Sequence, residues 1–394
     1  MELLKDRTMC CGCKACLNVC PRSAIHFAPD RCGFEYPEID SEKCVDCGAC
    51  KAVCPIEKNV ESDGFAQRTY ICVNRDTEQL NKSASGGLFA AAAKYILDSG
   101  GVVVGCAYNT KLQAEHIIVT EIKDLYRLQN SKYVQSNMGD CCKRIKAYLN
   151  NGVTVLFSGM PCQCHAVKAF LGRNYPNLIC MDSVCHGVPS QKMLGDYIRI
   201  LEKRLGGKLV GINFRDKTLG WGSLLSINYI DKNEKERTDY LTPAESSYYF
   251  FFKNALILRD SCYSCKYAAP TRVGDITMGD FWGVQGCGED IDPRGGASMA
   301  LINSAKGAEL FARLKERIEY RETKFEYAAK QNSQLVCHSE KCPMVDKIRE
   351  IYSDGGYAAV DRYFIKNNRR SITIGKLKKQ IKFILRRVRD LNEK

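Results

Sequence analysis

Apolar positions in this chain fall into short runs separated by amphipathic stretches. TYICVN (69–74), VVVGCAY (102–108), VTVLFSG (153–159) and NLICMDSVC (177–185) are near-continuous apolar runs, the pattern of strands buried on both faces. EHIIVTEI (115–122) alternates like a strand with one wet face. Between them lie helical patterns. Ser83 or Ser85 is placed to cap a helix running through the alanines to about Leu97, with Gly100 and Gly101 as its stop. CCKRIKAYLNNG (141–152), CHAVKAFLG and SQKMLGDYIRILEKRLGG follow as further helices. This rhythm predicts parallel βα units. Beyond residue 208 it changes. KLVGINFRD and LLSINYID predict antiparallel strands joined near DKNEKE, TPAESSYYFFFKNALIL a helix, ASMALINS a strand and AKGAELFARLKERIEY a helix. The fold class expected is α+β, a small N-terminal module followed by a larger mixed α/β body.

The module, residues 1–60, is governed by cysteine. Cys10, Cys13, Cys16 and Cys20 precede Pro21, and Cys44, Cys47, Cys50 and Cys54 precede Pro55, so C-x2-C-x2-C-x3-C-P occurs twice. This run resembles that of bacterial-type ferredoxins carrying two [4Fe–4S] clusters, in which the fourth cysteine of each run serves the other cluster. The resemblance assigns Cys10, Cys13, Cys16 and Cys54 to one cluster, and Cys44, Cys47, Cys50 and Cys20 to the second. Structural zinc favours paired knuckles, and disulfide frameworks belong to small secreted domains. Cys11 and Cys32 fall outside the pattern and read as bystanders. Residues 61–68 are polar, without apolar period, and read as a linker. The body divides into 69–207, 208–345 and a helical basic tail, 346–394.

Composition sharpens this picture. There are 23 cysteines in 394 residues and no apolar leader at the N-terminus, so a reducing, cytoplasmic setting with thiols as metal ligands is expected. The net charge is +13, but residues 366–394 carry +9 of it, so the body is not expected to bind nucleic acid. In KLKKQIKFILRRVRDLNEK (376–394), Leu377, Ile381, Ile384, Leu385, Val388 and Leu391 share one helical face and Lys and Arg the other. Such a helix lies on an anionic membrane surface, docks on an acidic partner, or packs its stripe on the body.

A second cysteine set lies in the body. Cys162 and Cys185 each follow an expected parallel strand, and Cys262 and Cys265 form SCYSCKY. Loops after parallel strands converge at the carboxyl edge of an open sheet, which makes one four-cysteine site plausible. Spacing alone leaves the C-x-x-C redox-active, zinc-binding or fortuitous, and leaves Cys162 and Cys185 as candidates for small buried hydrophobes.

SASGGLFAAA, NSKYVQS, FSGMPCQ, SVCHGVPS and SCYSCKYA…GDITMGDFWG, in this order, resemble the family of coenzyme F420 hydrogenase and dehydrogenase β subunits over roughly residues 65–340. The resemblance implies an iron–sulfur flavoprotein that binds FAD, with a third [4Fe–4S] cluster on Cys162, Cys185, Cys262 and Cys265. It places the flavin at Ser85, Gly86 and Gly87, where glycines allow close approach and helix-start amides suit phosphate, and at Lys132 and Tyr133. The function expected is electron transfer between a ferredoxin-like donor, the clusters and FAD, reducing or oxidising a small substrate. The alternatives are a coenzyme F420-dependent oxidoreductase and an electron-relay subunit of a larger complex. His165 and His186 adjoin cluster cysteines but read first as structural, and no catalytic acid is assigned. Asp280 and Trp282 carry no assigned role. Cys141 and Cys142 read as packing residues, Cys337, His338 and Cys342 as a loose metal motif, and Cys72, Cys106, Cys164, Cys180 and Cys287 as unpartnered.

Overall fold

The computed structural model describes residues 3–60, 64–286 and 290–392, with side chains to residue 388; Cys287, part of the expected linker and the side chain of Leu391 lie outside this set. The chain is mixed α and β, as expected. In the module, β1 (Ile25–Pro29) and β2 (Glu35–Ile39) form an antiparallel hairpin between the two cysteine runs. In the body, β3 (Arg68–Asn74), β4 (Val102–Tyr108), β5 (Ala114–Val119), β6 (Val155–Gly159) and β7 (Leu178–Ser183) come first. They are followed by β8 (Gly207–Asp216), β9 (Leu224–Asp231), β10 (Glu236–Leu241), β11 (Ile276–Asp280), β12 (Ser298–Ile302) and β13 (Ile318–Thr323).

One eight-stranded sheet runs in the order β13-β3-β12-β11-β7-β6-β4-β5. Its centre is parallel, with β4, β6, β7 and β11 aligned, and its flanks are antiparallel. The apolar strands are explained by helices on both faces. Val103 and Leu156 face the helix Leu88–Asp98, while Val102, Val104, Val155 and Phe157 face the helices Cys141–Asn150 and Pro161–Leu171. Because β11, β12 and β13 complete this sheet, the stretches 69–207 and 208–345 share one core across the expected division at 207. A second sheet, β10-β9-β8, packs with the helices Gln191–Leu205 and Ser247–Lys253.

Several local expectations change. DKNEKE turns β9 into the unanticipated β10, and IEY begins β13 because the preceding helix ends at Leu314. The aromatic helix is only Ser247–Lys253. Ser83 does not cap the helix at 88. Its Oγ donates to the Gln79 carbonyl, closing the short helix Thr77–Asn81, and Gly87 at φ +79° takes the N-cap position. The tail is helical from Pro343 to Asn392, with breaks at Gly356 and Asn368. Among the described residues no helix is long and apolar enough to cross a membrane.

Candidate metal and cofactor centre

The two cysteine runs build two hollows. One is lined by Cys20, Cys44, Cys47 and Cys50, the other by Cys10, Cys11, Cys13, Cys16 and Cys54. The fourth cysteine of each run thus faces the first three of the other. The backbone shows why the spacing works. Gly12 and Lys14 in the first run, and Asp46 and Gly48 in the second, all adopt left-handed conformations with φ between +52° and +71°. Each pair brackets the second cysteine of its run and curls the chain around the hollow. Lys14 is held there by an ion pair with Glu35 at 2.8 Å. Amides turn inward too: the N–H groups of Gly12 and Ala24 donate to Cys10 Sγ (3.4 Å) and Cys20 Sγ (3.3 Å).

The near hollow, around Cys10, is sealed by the body. Burial pushes the Cys10 thiol up to about 11, and raises Cys16 and Cys54 as well. Burial disfavours these thiolates, and the positive charge of a bound metal centre would restore them, so the donor set suits iron–sulfur clusters. Among the described residues no group of three or more His, Cys, Asp or Glu side chains is placed for a single bare ion, the Cys337–His338–Cys342 stretch included.

Arg259 seats the module. Its guanidinium is almost wholly buried and donates to the Cys10 carbonyl, the Glu35 carbonyl and Gln135 Oε1, and it stacks over Tyr36 at 4.2 Å. Gln135 Nε2 in turn donates to the Cys11 carbonyl, and the Lys266 ammonium reaches the carbonyls of Pro55, Ile56 and Lys58. Arg259 and Lys266 flank Cys262 and Cys265, so these clamps bring the near hollow to the second cysteine set.

That set converges. Cys185 is pushed up to about 12 by burial and by Cys265, and Cys262 is raised by burial and by Cys185 and Cys265. Cys162 is raised by a hydrogen bond with Cys11, by burial, and by the nearby Cys185 and Cys265. Cys11, a bystander by motif spacing, is therefore at the junction. It contacts Cys13 on one side and Cys162 on the other, and lines both the near hollow and a large cavity. Adjacent sequence position within the Cys10–Cys11 pair was the available signal.

The cavity, about 480 Å³, opens at the carboxyl ends of β6, β7 and β11. This lies within the roughly 300–1,000 Å³ of small-molecule sites. Cys162, Cys185, His186, Ser85, Gly87, Lys132, Tyr133, Asp280 and Trp282 all line it. Gly86 does not. A Cβ there would sit 2.3 Å from the Cys72 carbonyl oxygen and 2.4 Å from the Ser298 nitrogen, so Gly86 lets the turn press onto β3 and β12. Lys217 braces the same turn by donating to the carbonyls of Leu80, Ser85 and Gly295 at 2.6–2.7 Å. Leu88 and Phe89, whose amides start the helix without intrahelical partners, also face the cavity.

Lys132 points its ammonium at the carbonyls of Arg127, Gln129 and Asn130, and burial lowers its pKa to about 8. Tyr133 stacks on Phe252 at 4.4 Å. Opposite, Arg215 forks onto Asp280 at 2.6 and 2.8 Å and reaches Tyr133 Oη and the Ala84 carbonyl. Trp282 stacks on Trp221 at 4.3 Å, and Trp221 Nε1 donates to Asp280. Arg215 and Lys217 lie in FRDK, which as sequence reads as an ordinary strand end. His186 Nε2 donates to the Phe252 carbonyl while Nδ1 faces Gln334, fitting a neutral ring held in place. His165 is bound by Tyr267 at 3.0 Å, and burial lowers it to about 4. His116 is buried behind the cavity wall, and burial lowers its pKa to about 4.

Residues 152–326 match the family model for the C terminus of the coenzyme F420 hydrogenase/dehydrogenase beta subunit, and residues 9–58 match that of the 4Fe-4S dicluster domain. The chain thus carries a dicluster ferredoxin domain, and the stretch 152–326 of its body is similar to the C terminus of these beta subunits. One subunit of the F420H2 dehydrogenase of Methanosarcina mazei is 23% identical over 213 residues, 49% of this chain and 59% of that protein. Ferredoxin 7Fe of Hydrogenibacillus schlegelii is 41% identical over 71 residues, 17% of this chain and 85% of that ferredoxin. A chain of the F420-reducing [NiFe] hydrogenase complex from Methanosarcina barkeri aligns over 79% of this chain and 94% of its own, at 16% identity and a TM-score of 0.43. The chain thus spans only 59% of the length of the dehydrogenase protein it matches. It is an iron–sulfur protein related to subunits of hydrogenases and dehydrogenases.

Proposed function

We propose that this protein is an iron–sulfur flavoenzyme that carries electrons from a ferredoxin-like donor to a small substrate in the cavity. The single observation behind this reading is Cys11, which touches the near hollow and the second cysteine set at once. The far hollow, with Cys47 exposed, receives electrons; the near hollow passes them to a cluster on Cys162, Cys185, Cys262 and Cys265; and Cys162 and Cys185 of that set line the cavity. In this reading the N-terminal ligands are Cys10, Cys13, Cys16 and Cys54 for one cluster and Cys44, Cys47, Cys50 and Cys20 for the other.

The support for FAD is the helix start at Gly87, Leu88 and Phe89 on the cavity wall, where free amides suit a phosphate. Ser85, Gly87, Lys132 and Tyr133 would hold it, with Gly86 keeping the turn pressed to the sheet. Bound FAD would supply the exchange between one- and two-electron chemistry. Arg215 and Asp280 keep the opposite wall rigid, and Lys253 beside them favours an anionic substrate. Coenzyme F420 is the substrate suggested by kinship. Relation to one component of a dehydrogenase favours, as a second reading, a relay within a larger complex.

Iron, acid-labile sulfide and released flavin per chain, measured on anaerobically purified protein, test the proposal. About twelve irons and one FAD are expected. About eight irons without flavin would confine redox chemistry to the module.

A further inference from the structure

The last section of the tail helix, beyond the break at Asn368, lies on the body by one face only. A Cβ on Gly375 would meet Ala244 at 3.0 Å, Lys379 pairs with Glu245 at 2.8 Å and reaches the Tyr240 carbonyl, and Phe383 packs 5.2 Å from the Tyr240 ring. At 100° per residue, the opposite face carries Ile374, Leu377, Ile381, Ile384, Leu385 and Val388. All six are turned to solvent, from 47% exposed at Ile381 to 62% at Leu385. The apolar stripe is therefore not the surface that packs on the body, which was one of its three expected uses. Its orientation is fixed by the contacts on the other side.

The stripe is about 21 Å long. Exposed cations border it along both edges, Lys378 and Lys382 on one and Lys376 and Arg387 on the other. We propose that this outward stripe docks the protein on the surface of a membrane rich in anionic lipid. The aliphatic side chains enter the boundary between headgroups and acyl chains. The flanking lysines and arginines lie at the level of the phosphates, where long cationic side chains keep their stems apolar and their heads wet.

A second copy of the chain is the competing occupant. Ile374, Leu377, Ile381, Ile384 and Val388 follow the alternating three- and four-residue spacing of a coiled-coil seam. That seam lasts about two heptads, short of the three to four that sustain a coiled coil. Pairing would also bring together two tails of net charge +9 each. The same charge favours an anionic surface.

The test is co-sedimentation of the full chain with phosphatidylcholine vesicles and with mixed phosphatidylcholine–phosphatidylglycerol vesicles, at low and high salt. Wild type is expected to pellet with the mixed vesicles alone and to be released by salt. The variant Ile381→Glu/Leu385→Glu is expected to bind at least about tenfold more weakly. Both side chains are exposed, so its iron content and unfolding transition should match wild type. Wild type left in the supernatant at low salt, or a variant that binds equally well, would overturn the proposal. So would a wild-type dimer by light scattering that the same variant makes monomeric.

Discussion

The two cysteine hollows are copies of one motif placed in unlike surroundings. Each run curls through two left-handed residues, and each hollow borrows its fourth sulfur from the other run. Around the far hollow Cys47 and Val45 meet solvent. Around the near hollow Cys10, Cys13, Cys16 and Cys54 are all less than 9% exposed, because Arg259, Gln135 and Lys266 press the body against it. The motif dictates the ligand geometry, and the body dictates which copy faces outward and which inward. A symmetrical module becomes directional by being covered on one side.

Exchanging ligands breaks the comparison most severely. Cys54→Ser should remove the same cluster as Cys10→Ser, and Cys20→Ser the same cluster as Cys44→Ser, each with a loss of about four irons. Electron paramagnetic resonance of the reduced variants checks this. If Cys20→Ser and Cys10→Ser left the same spectrum, the crossed pairing would be wrong.

Arg259→Leu comes next. It leaves the carbonyls of Cys10 and Glu35 and the Gln135 side chain without their buried donor, at about 1–3 kcal/mol each. The expected loss is about 3 kcal/mol or more in anaerobic denaturant unfolding, with the near cluster, shielded in wild type, becoming about as oxygen-sensitive as the exposed far one. A near cluster that kept its wild-type protection in the variant would mean that the clamp does not set their difference.

The smallest effect comes from the first of the two left-handed steps at which the copies differ, Gly12 in the first run and Asp46 in the second. Asp46→Gly exchanges left-handed strain for chain entropy in open surroundings and should stay within about 0.5 kcal/mol of wild type. Gly12→Asp would put a Cβ 2.3 Å from Gln135 Nε2 and 3.2 Å from Arg259, and should cost about 1–3 kcal/mol. Unfolding curves of the two variants make the comparison, and equal values would show that the seal on the near hollow is loose.

Legibility follows the same division between local and distant determinants. The crossed cysteines, the parallel βα units and the loops carrying Cys162, Cys185, Lys132 and Tyr133 can be read because spacing and periodicity are local. Gly86 reads as a ligand contact because a glycine pair before a helix looks alike whether it approaches a cofactor or, as here, a neighbouring strand. Cys11 is passed over because a motif ranks residues by interval, whereas its place depends on a loop 150 residues away. Lys217, Arg259 and Lys266 act mainly through carbonyls from remote segments, and no periodicity marks a side chain whose partners are backbone. The short β10 escapes notice because ERTDYL is largely polar and lies at a sheet edge.

The clamp at Arg259 also bears on how the molecule is made. Once the guanidinium has closed on the Cys10 and Glu35 carbonyls, the near hollow is shut against a delivering protein. A cluster assembled before the N-terminal segment docks needs no reopening of the clamp, so the geometry favours loading before docking in biogenesis.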